Sequence, residues 1–439
     1  MTSHRALLEE IYDVAIAAAH PRVLVEQAVA RLRGGQPQPR RIAIIAIGKA
    51  APAMADAAVE RLRLDDATIP GGIVIGSDDG PSPNPHMGRI AGDHPVPRAR
   101  SLRAAYALDD VTRHARAGAD AALVLISGGA TSLVGAPVDG VAPEALAALF
   151  DSLLRSGWDI GAMNAVRKRF LRWGAGRLAL ALAPIPVHLA ILSDVIGDDA
   201  GTIASGPCTP DPLPASDILR RLETLSVRDD VSKRSLAHYL ERVMSGEFPE
   251  TPKADHPAFS NVATPLIRGN ATAVSAAAAH ARAAGWTVVV SSSPLRGEAR
   301  ERGIEIAEAL LAASARDSLC LIHSGETTVT MPADAAGEGG RCQELALAAA
   351  QVLDDAYARA PSIALLAVGT DGRDGSTDAA GAIIDRDSWR QARANGTPPE
   401  RALSTHDSHR ALDAAGALLS ARFTGTNVMD IVVGLTGRG

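Results

Sequence analysis

Five turns in this 439-residue chain collect the residue types that handle anions. They are Gly48-Lys49, Ser127-Gly128-Gly129-Ala130-Thr131-Ser132, Ser193-Asp194, Ser324-Gly325-Glu326-Thr327-Thr328, and the stretch from Gly369 through Asp371, Asp374 and Thr377 to Asp378. Each follows a short apolar run, where an open parallel sheet binds its ligands. A fold needs turns at those points anyway. It does not need a lysine, three loops with acids and repeated Ser and Thr. Lys49 sits where a strand becomes a helix, an end that disfavours cations, so it makes more sense with an anion beside it. Arg341 opens an alanine- and leucine-rich helix behind Gly337, Gly339 and Gly340. Bare N–H groups and a fork-shaped, permanent cation at such an end suit a carboxylate or a phosphate. A plain strand-loop-helix connection with a surface arginine explains the same residues equally well.

The remaining turns divide in the same way. Residues 127–132 have the form of an anion-binding nest, although Ser-Gly-Gly turns are common. Asp371, Asp374 and Asp378 share one glycine-rich loop. Mg²⁺ often takes one or two carboxylates together with substrate phosphates, while Asx-turns and helix caps are the ordinary use of such acids. Asp194 lies just past a strand end, where a carboxylate can hold a metal or accept a hydroxyl proton.

Positioning these turns requires a layered scaffold. Residues 3–33 have helical spacing of apolar positions, with Pro21 either breaking the helix or starting a second one. Continuous apolar runs at 41–47, 71–76, 123–126 and 187–192 predict buried strands, with helices at 50–62, 99–116 and 143–156 between them. That alternation predicts a parallel sheet covered on both faces. A polar stretch with three prolines, 245–260, marks the expected junction between domains 1–250 and 251–439. Beyond it, helices at 271–284, 300–313 and 344–358 alternate with strands at 286–291, 318–323 and 363–368.

Composition narrows the class. The length exceeds one ordinary core, so two domains are expected. Apolar residues make up 46% of the chain with few aromatics, and the formal charge is −6 without basic runs, which argues against a nucleic-acid surface. Cys208, Cys320 and Cys342 lack CxxC spacing, and reduced thiols in a cytoplasmic enzyme are the plain reading. No apolar run approaches the ~18 residues of a membrane span, and the acidic N-terminal stretch does not read as a signal peptide. There is no G-x-x-x-x-G-K-[ST] and no G-x-G-x-x-G after a strand. No zinc spacing and no G-x-S-x-G elbow is found either.

The stretches IGKAAPAMA, GDHPVP, SGGATSL, MNAVRKRF, GAGRLAL, LSDVIGDDAGTIASGPCTPDP, SGETTVT, GGRCQELALAAA, GTDGRDGSTDAAGAIID and FTGTNVMDIVVGL span nearly the whole chain. With them it resembles the glycerate 2-kinases that carry a MOFRL domain, often labelled hydroxypyruvate reductases. The resemblance implies two three-layer α/β/α domains, the first Rossmann-like with a mostly parallel sheet, and an active site in the interdomain cleft. It implies transfer of a phosphoryl group from ATP to the 2-hydroxyl of D-glycerate with Mg²⁺ or another divalent cation. It makes Lys49 and Arg341 the catalytic or substrate-binding basic pair, and the loops at Ser127, Asp194, Glu326 and Asp371 the cleft lining.

On that reading Ser127, Gly128, Gly129, Thr131, Ser132, Glu326 and Thr327 hold ATP, and Asp194 or Asp371 holds the cation. Asp194 is the leading base, and residues 245–260 form part of a hinge. The chain departs from the family pattern at His323-Ser324, Ala130-Thr131 and Cys342. Two other readings stay open: an NAD(P)H-dependent reductase of hydroxypyruvate, and a non-catalytic sugar-phosphate sensor. The partners expected are small molecules, with neither nucleic acid nor membrane. The oligomeric state is not set by the sequence, and a homodimer is compatible with it.

Overall fold

The computed structural model describes residues 4–35, 37–227, 229–313, 318–332, 337–359 and 362–437. The chain packs as two compact units, one of residues 21–268 and one of residues 1–20 with 269–439. Among the described residues, no helix is long and apolar enough to cross a membrane.

The unit 21–268 is built on six strands: β1 (Ile42–Ile47), β2 (Gly72–Gly76), β3 (Met87–Ala91), β4 (Ala121–Ile126), β5 (Val187–Leu192) and β6 (Leu266–Arg268). Their order is β3-β2-β1-β4-β5-β6 and every pairing is parallel. This is the doubly wound order, and it reverses between β1 and β4. Every residue of β1 and β4 is buried, as expected of strands covered by helices on both faces. Helices Pro21–Arg33 and Ala51–Leu64 pack together on one face, while Ala99–Gly118 packs with Arg177–Leu182. Pro21 starts a helix, as its missing N–H allows at a first position.

A second, helical core belongs to the same unit. Leu149, Phe150, Phe170, Leu222, Leu236 and Leu240 are buried in it. It is tied by a buried ion network: Arg169 Nη1 donates to Asp211 Oδ2 at 3.0 Å, and Lys168 Nζ lies 3.0 Å from Asp211 Oδ1. Arg177 donates to the carbonyls of Arg169 and Leu171 at 3.1 Å each. Arg169 of MNAVRKRF and Arg177 of GAGRLAL are thus spent on structure.

The expected junction is not where the chain divides. Thr251 is buried and its hydroxyl donates to Asp211 Oδ2 at 3.0 Å, and Lys253 Nζ donates to Leu213 O at 2.6 Å. These bonds hold much of the stretch 245–260 inside the first unit. The sheet is completed only afterwards, when β6 pairs with β5. The first helix also changes sides. His4–Ala18 buries Leu7, Leu8, Ile11 and Tyr12 and packs on helix Asn270–Ala283 of the other unit.

That other unit has β7 (Thr287–Val290), β8 (Leu319–Gly325), β9 (Ile363–Gly369), β10 (Ala379–Asp385), β11 (Leu418–Ser420) and β12 (Asp430–Thr436), ordered β11-β10-β9-β12-β8-β7. Only β7 with β8 is parallel. β12 runs antiparallel between β8 and β9, and β10 antiparallel beside β9 and β11. Helices Ala299–Ala313 and Arg341–Asp355 pack together over one face, and His4–Ala18 with Asn270–Ala283 over the other. Both units are therefore three-layered.

Candidate functional site

In the first unit the chemistry gathers where the strand order reverses. The turns leaving β1 and β4 are bonded to each other: Lys49 N donates to Gly128 O at 2.9 Å, and Ala50 N to Ser127 Oγ at 3.0 Å. Gly129 has φ +80°, a conformation that side chains disfavour, and it leads into the short helix Ala130–Leu133. Three side chains crowd this turn. A Cβ added at Gly128 would lie 2.0 Å from Asp194 Oδ2. One added at Gly129 would lie 3.4 Å from Lys49 Cε and 3.1 Å from His94 Cδ2. Lys49 and His94 are exposed, and Asp194 is half-buried. Close packing, and then the Lys49 charge, hold the His94 imidazole below its ordinary range, so it is neutral at pH 7. Thr131 Oγ1 is 3.1 Å from Ser205 Oγ, and Ser132 Oγ donates to Pro95 O at 2.6 Å.

The glycines yield a direct prediction. In Gly128→Ala the new methyl must displace the Asp194 carboxylate. A shift of about 1 Å at a reacting group costs up to about 10²-fold in rate. We expect a fall in turnover of at least tenfold, with a melting temperature close to wild type. Unchanged turnover would separate Asp194 from the reaction.

In the second unit, Arg341 begins helix Arg341–Asp355. Its Nε donates to Asp430 Oδ2 at 2.5 Å and its Nη2 to Asp430 Oδ1 at 2.9 Å, while Nη1 lies 2.5 Å from Glu326 Oε1. The fork that sequence reasoning offers to a ligand is thus closed on a buried carboxylate. Burial pushes Asp430 up to about 6, with Asp374 and Glu326 adding to the effect against the pull of Arg341. Arg341 in turn is held above its usual range, the Asp430 bonds outweighing its own burial.

The helix start is also occupied. Asp374 accepts from Cys342 N at 3.1 Å, from Gln343 N at 2.8 Å and from Gln343 Nε2 at 3.0 Å. The anion at this N-terminus is the protein's own cap. The other loop acids have separate tasks. Asp371 Oδ1 accepts from Arg373 N at 3.0 Å, closing an Asx-turn, and Asp378 Oδ1 lies 2.8 Å from His409 Nε2. Tyr12 Oη donates to Gly369 O at 3.0 Å and Thr370 Oγ1 to Met429 O at 2.6 Å. These bonds brace the start of the acidic loop against helix His4–Ala18 and against the residue that precedes β12.

The sequence-predicted residues therefore fall into two sets. Lys49, Asp194 and the turn 127–132 meet in the first unit. In the second, Glu326 meets Arg341, Thr327 is buried beside Glu326, and Asp371 stands exposed on its own turn. Among the described residues, no three His, Cys, Asp or Glu side chains gather as a metal cage. Sequence reasoning missed His94 and Asp430, although both lie inside the motifs GDHPVP and FTGTNVMDIVVGL. Neither Ala130 nor Ser324 has a positive φ, so both positions admit the side chains by which this chain departs from the family pattern.

Fold and site together define a two-unit α/β protein with a doubly wound first unit and a polar cluster at its switch point. A family profile described as a domain of unknown function, DUF4147, matches residues 7–241, and the MOFRL family matches residues 319–430. The chain belongs to the MOFRL-domain glycerate 2-kinase family, as its motifs implied. It is 33% identical to a glycerate 2-kinase of Pyrococcus horikoshii over 96% of this chain and 92% of that protein. It is 35% identical to a putative hydroxypyruvate reductase of Agrobacterium vitis over 99% of this chain and 95% of the other. The crystal structure of a glycerate kinase from Thermotoga maritima superposes with a TM-score of 0.80 at 33% identity, covering 98% of each chain.

Proposed function

We propose that this chain is a glycerate 2-kinase, transferring the γ-phosphoryl group of ATP to the 2-hydroxyl of D-glycerate to give 2-phospho-D-glycerate and ADP. The observation that carries this is kinship with a named glycerate 2-kinase across 96% of the chain, through both units. The cluster at the β1–β4 switch point supports the nucleotide end of the reading. Lys49 neutralises charge on the transferring group, the turn 127–132 follows the ATP phosphates, and Asp194 takes the hydroxyl proton. In most analyses of phosphoryl transfer, positioning and charge stabilisation account for nearly all of the catalysis, and these residue types suffice for it.

Glycerate is a carboxylate, and Arg341 is its assigned partner. With Nε and Nη2 on Asp430, the accessible edge is Nη1, where the half-exposed Glu326 side chain exchanges with the substrate. Thr327 belongs to the same loop. Mg²⁺ is part of the proposal, with Asp194 or Asp371 as its carboxylate. Mg²⁺ is usually bound by one or two carboxylates plus phosphates and water rather than an all-protein cage, and isolated acids of this kind fit it. When bound, the cation neutralises the β- and γ-phosphates.

The test is to incubate the protein with ATP, Mg²⁺ and D-glycerate and to measure ADP and 2-phosphoglycerate, with NADH oxidation by hydroxypyruvate run in parallel. Glycerate-dependent ADP formation is expected. NADH oxidation without it would instead establish the reductase. Neither activity, with sugar phosphates bound, would leave the sensor.

A further inference from the structure

We propose that His94 contacts the phosphoryl group being transferred, sharing its oxygens with Lys49 above the Gly129 turn. The proposal rests on the kinase reading and adds a residue to it. A Cβ at Gly129 would stand 3.1 Å from His94 Cδ2, 3.4 Å from His94 Nε2 and 3.4 Å from Lys49 Cε. The Nε2 edge of the imidazole and the lysine stem therefore flank one face of one glycine, and the space between them exists because that residue has no side chain.

The segment carrying His94 is fixed on both sides. Asp93 N donates to Ser101 Oγ at 2.9 Å, and the Asp93 carboxylate accepts from Arg100 N and Ser101 N at 2.9 and 3.2 Å, where helix Ala99–Gly118 begins. Pro95 O accepts from Ser132 Oγ at 2.6 Å. The residue between these anchors is exposed. Among the described residues, no protein group is bonded to its ring nitrogens or to the Lys49 ammonium. The ring nitrogens therefore keep their hydrogen-bonding capacity for solvent or a ligand. The histidine is placed accurately and left with an open edge beside an unpaired cation.

An anion resolves that arrangement. A phosphoryl group in transfer spreads its charge over three equatorial oxygens, more than one ammonium covers. The neutral imidazole donates from Nε2 without adding repulsion toward Lys49. In the reaction the 2-hydroxyl oxygen bonds to the γ-phosphorus, and the bond from that phosphorus to the β,γ-bridging oxygen breaks. Its electron pair leaves on ADP, and the hydroxyl proton passes to Asp194. His94 neither gains nor loses a proton.

Two variants and one spectrum test this. His94→Ala should lower kcat about 10- to 100-fold, the scale of one lost donor at a reacting oxyanion, with the glycerate KM within about twofold. His94→Gln should recover part of the loss, because its amide N–H reaches where Nε2–H did. In ¹⁵N-histidine-labelled wild type, the ring resonance missing from His94→Ala should shift when the β,γ-imido analogue of ATP is added with Mg²⁺. An active wild type whose His94→Ala keeps its turnover, and whose ring signal stays put, overturns the contact and leaves the kinase reading standing. Equal losses in both variants with an unmoved ring signal also overturn it, since the histidine then acts only through structure. A wild type without glycerate-dependent ADP formation overturns the kinase reading, and this contact with it.

Discussion

Replacing Lys49 by alanine should lower kcat by about 10²–10³-fold and leave the protein folded. The rate scale is that of a preorganised charge or hydrogen-bond donor removed from a reacting group. The folding half follows from geometry. The Lys49 side chain is exposed, and what ties this residue to the turn after β4 is its backbone N–H, 2.9 Å from Gly128 O. Alanine keeps that bond. It also suits a strand-to-helix corner, where a cation opposes the helix dipole, so the melting temperature should stay or rise slightly. The stem beside Gly129 is lost, and with it the only cation among the three side chains placed at that turn. Steady-state kinetics with D-glycerate and ATP, alongside thermal unfolding, measures both halves. Turnover within threefold of wild type would remove Lys49 from the reaction.

How far the sequence reveals this molecule depends on where a residue's partners lie. β1, β2, β4 and β5 are legible because both faces are covered, so each reads as an unbroken apolar run bounded by glycine or a polar turn. β3, with the sequence MGRIA, and the three-residue β6 are too short and mixed to register. Missing β6 moved the expected domain boundary into the first unit, because the proline-rich stretch before it resembles a linker and its bonds to Asp211 cannot be seen locally. β12 also escaped, and its first residue is Asp430. Nothing near Arg341 in sequence announces a partner 89 positions later, so the arginine reads as open when its fork is engaged.

The same holds for the helix start that Asp374 caps. The local signal of glycines before a helix is real, but it records that an anion is bound without telling a ligand from the chain's own carboxylate. His94 is hidden differently, since one histidine beside a proline in a turn carries no pattern of its own. Its meaning appears only when the ends of β1, β3 and β4 are brought side by side.

Removing the Asp430 carboxylate should expose how much the second unit invests in holding Arg341. Asp430 is buried, and its two oxygens take Nε and Nη2 of the guanidinium. Breaking a buried pair from one side costs about 3–5 kcal/mol. Arg341 is about one-third exposed and keeps Glu326, so a smaller cost, about 2–3 kcal/mol, is expected for Asp430→Ala at pH 7. Turnover should fall as well, because the guanidinium proposed to receive glycerate is no longer held in place.

Asp430→Asn separates charge from shape. In the folded protein Asp430 is raised to about 6 from an ordinary 3.8, so between those values the native state holds a proton that the unfolded chain has released. Its contribution is fully present below about pH 4 and is lost as pH rises through about 6, at up to about 1.4 kcal/mol per pH unit. Asparagine cannot titrate. Denaturant unfolding of wild type and Asp430→Asn from pH 4 to 7 should therefore give a stability difference that moves steadily against the wild type up to about pH 6 and then levels. A difference that is flat across that range would mean that the carboxylate is ionised throughout it, with Arg341 overcoming the cost of burial.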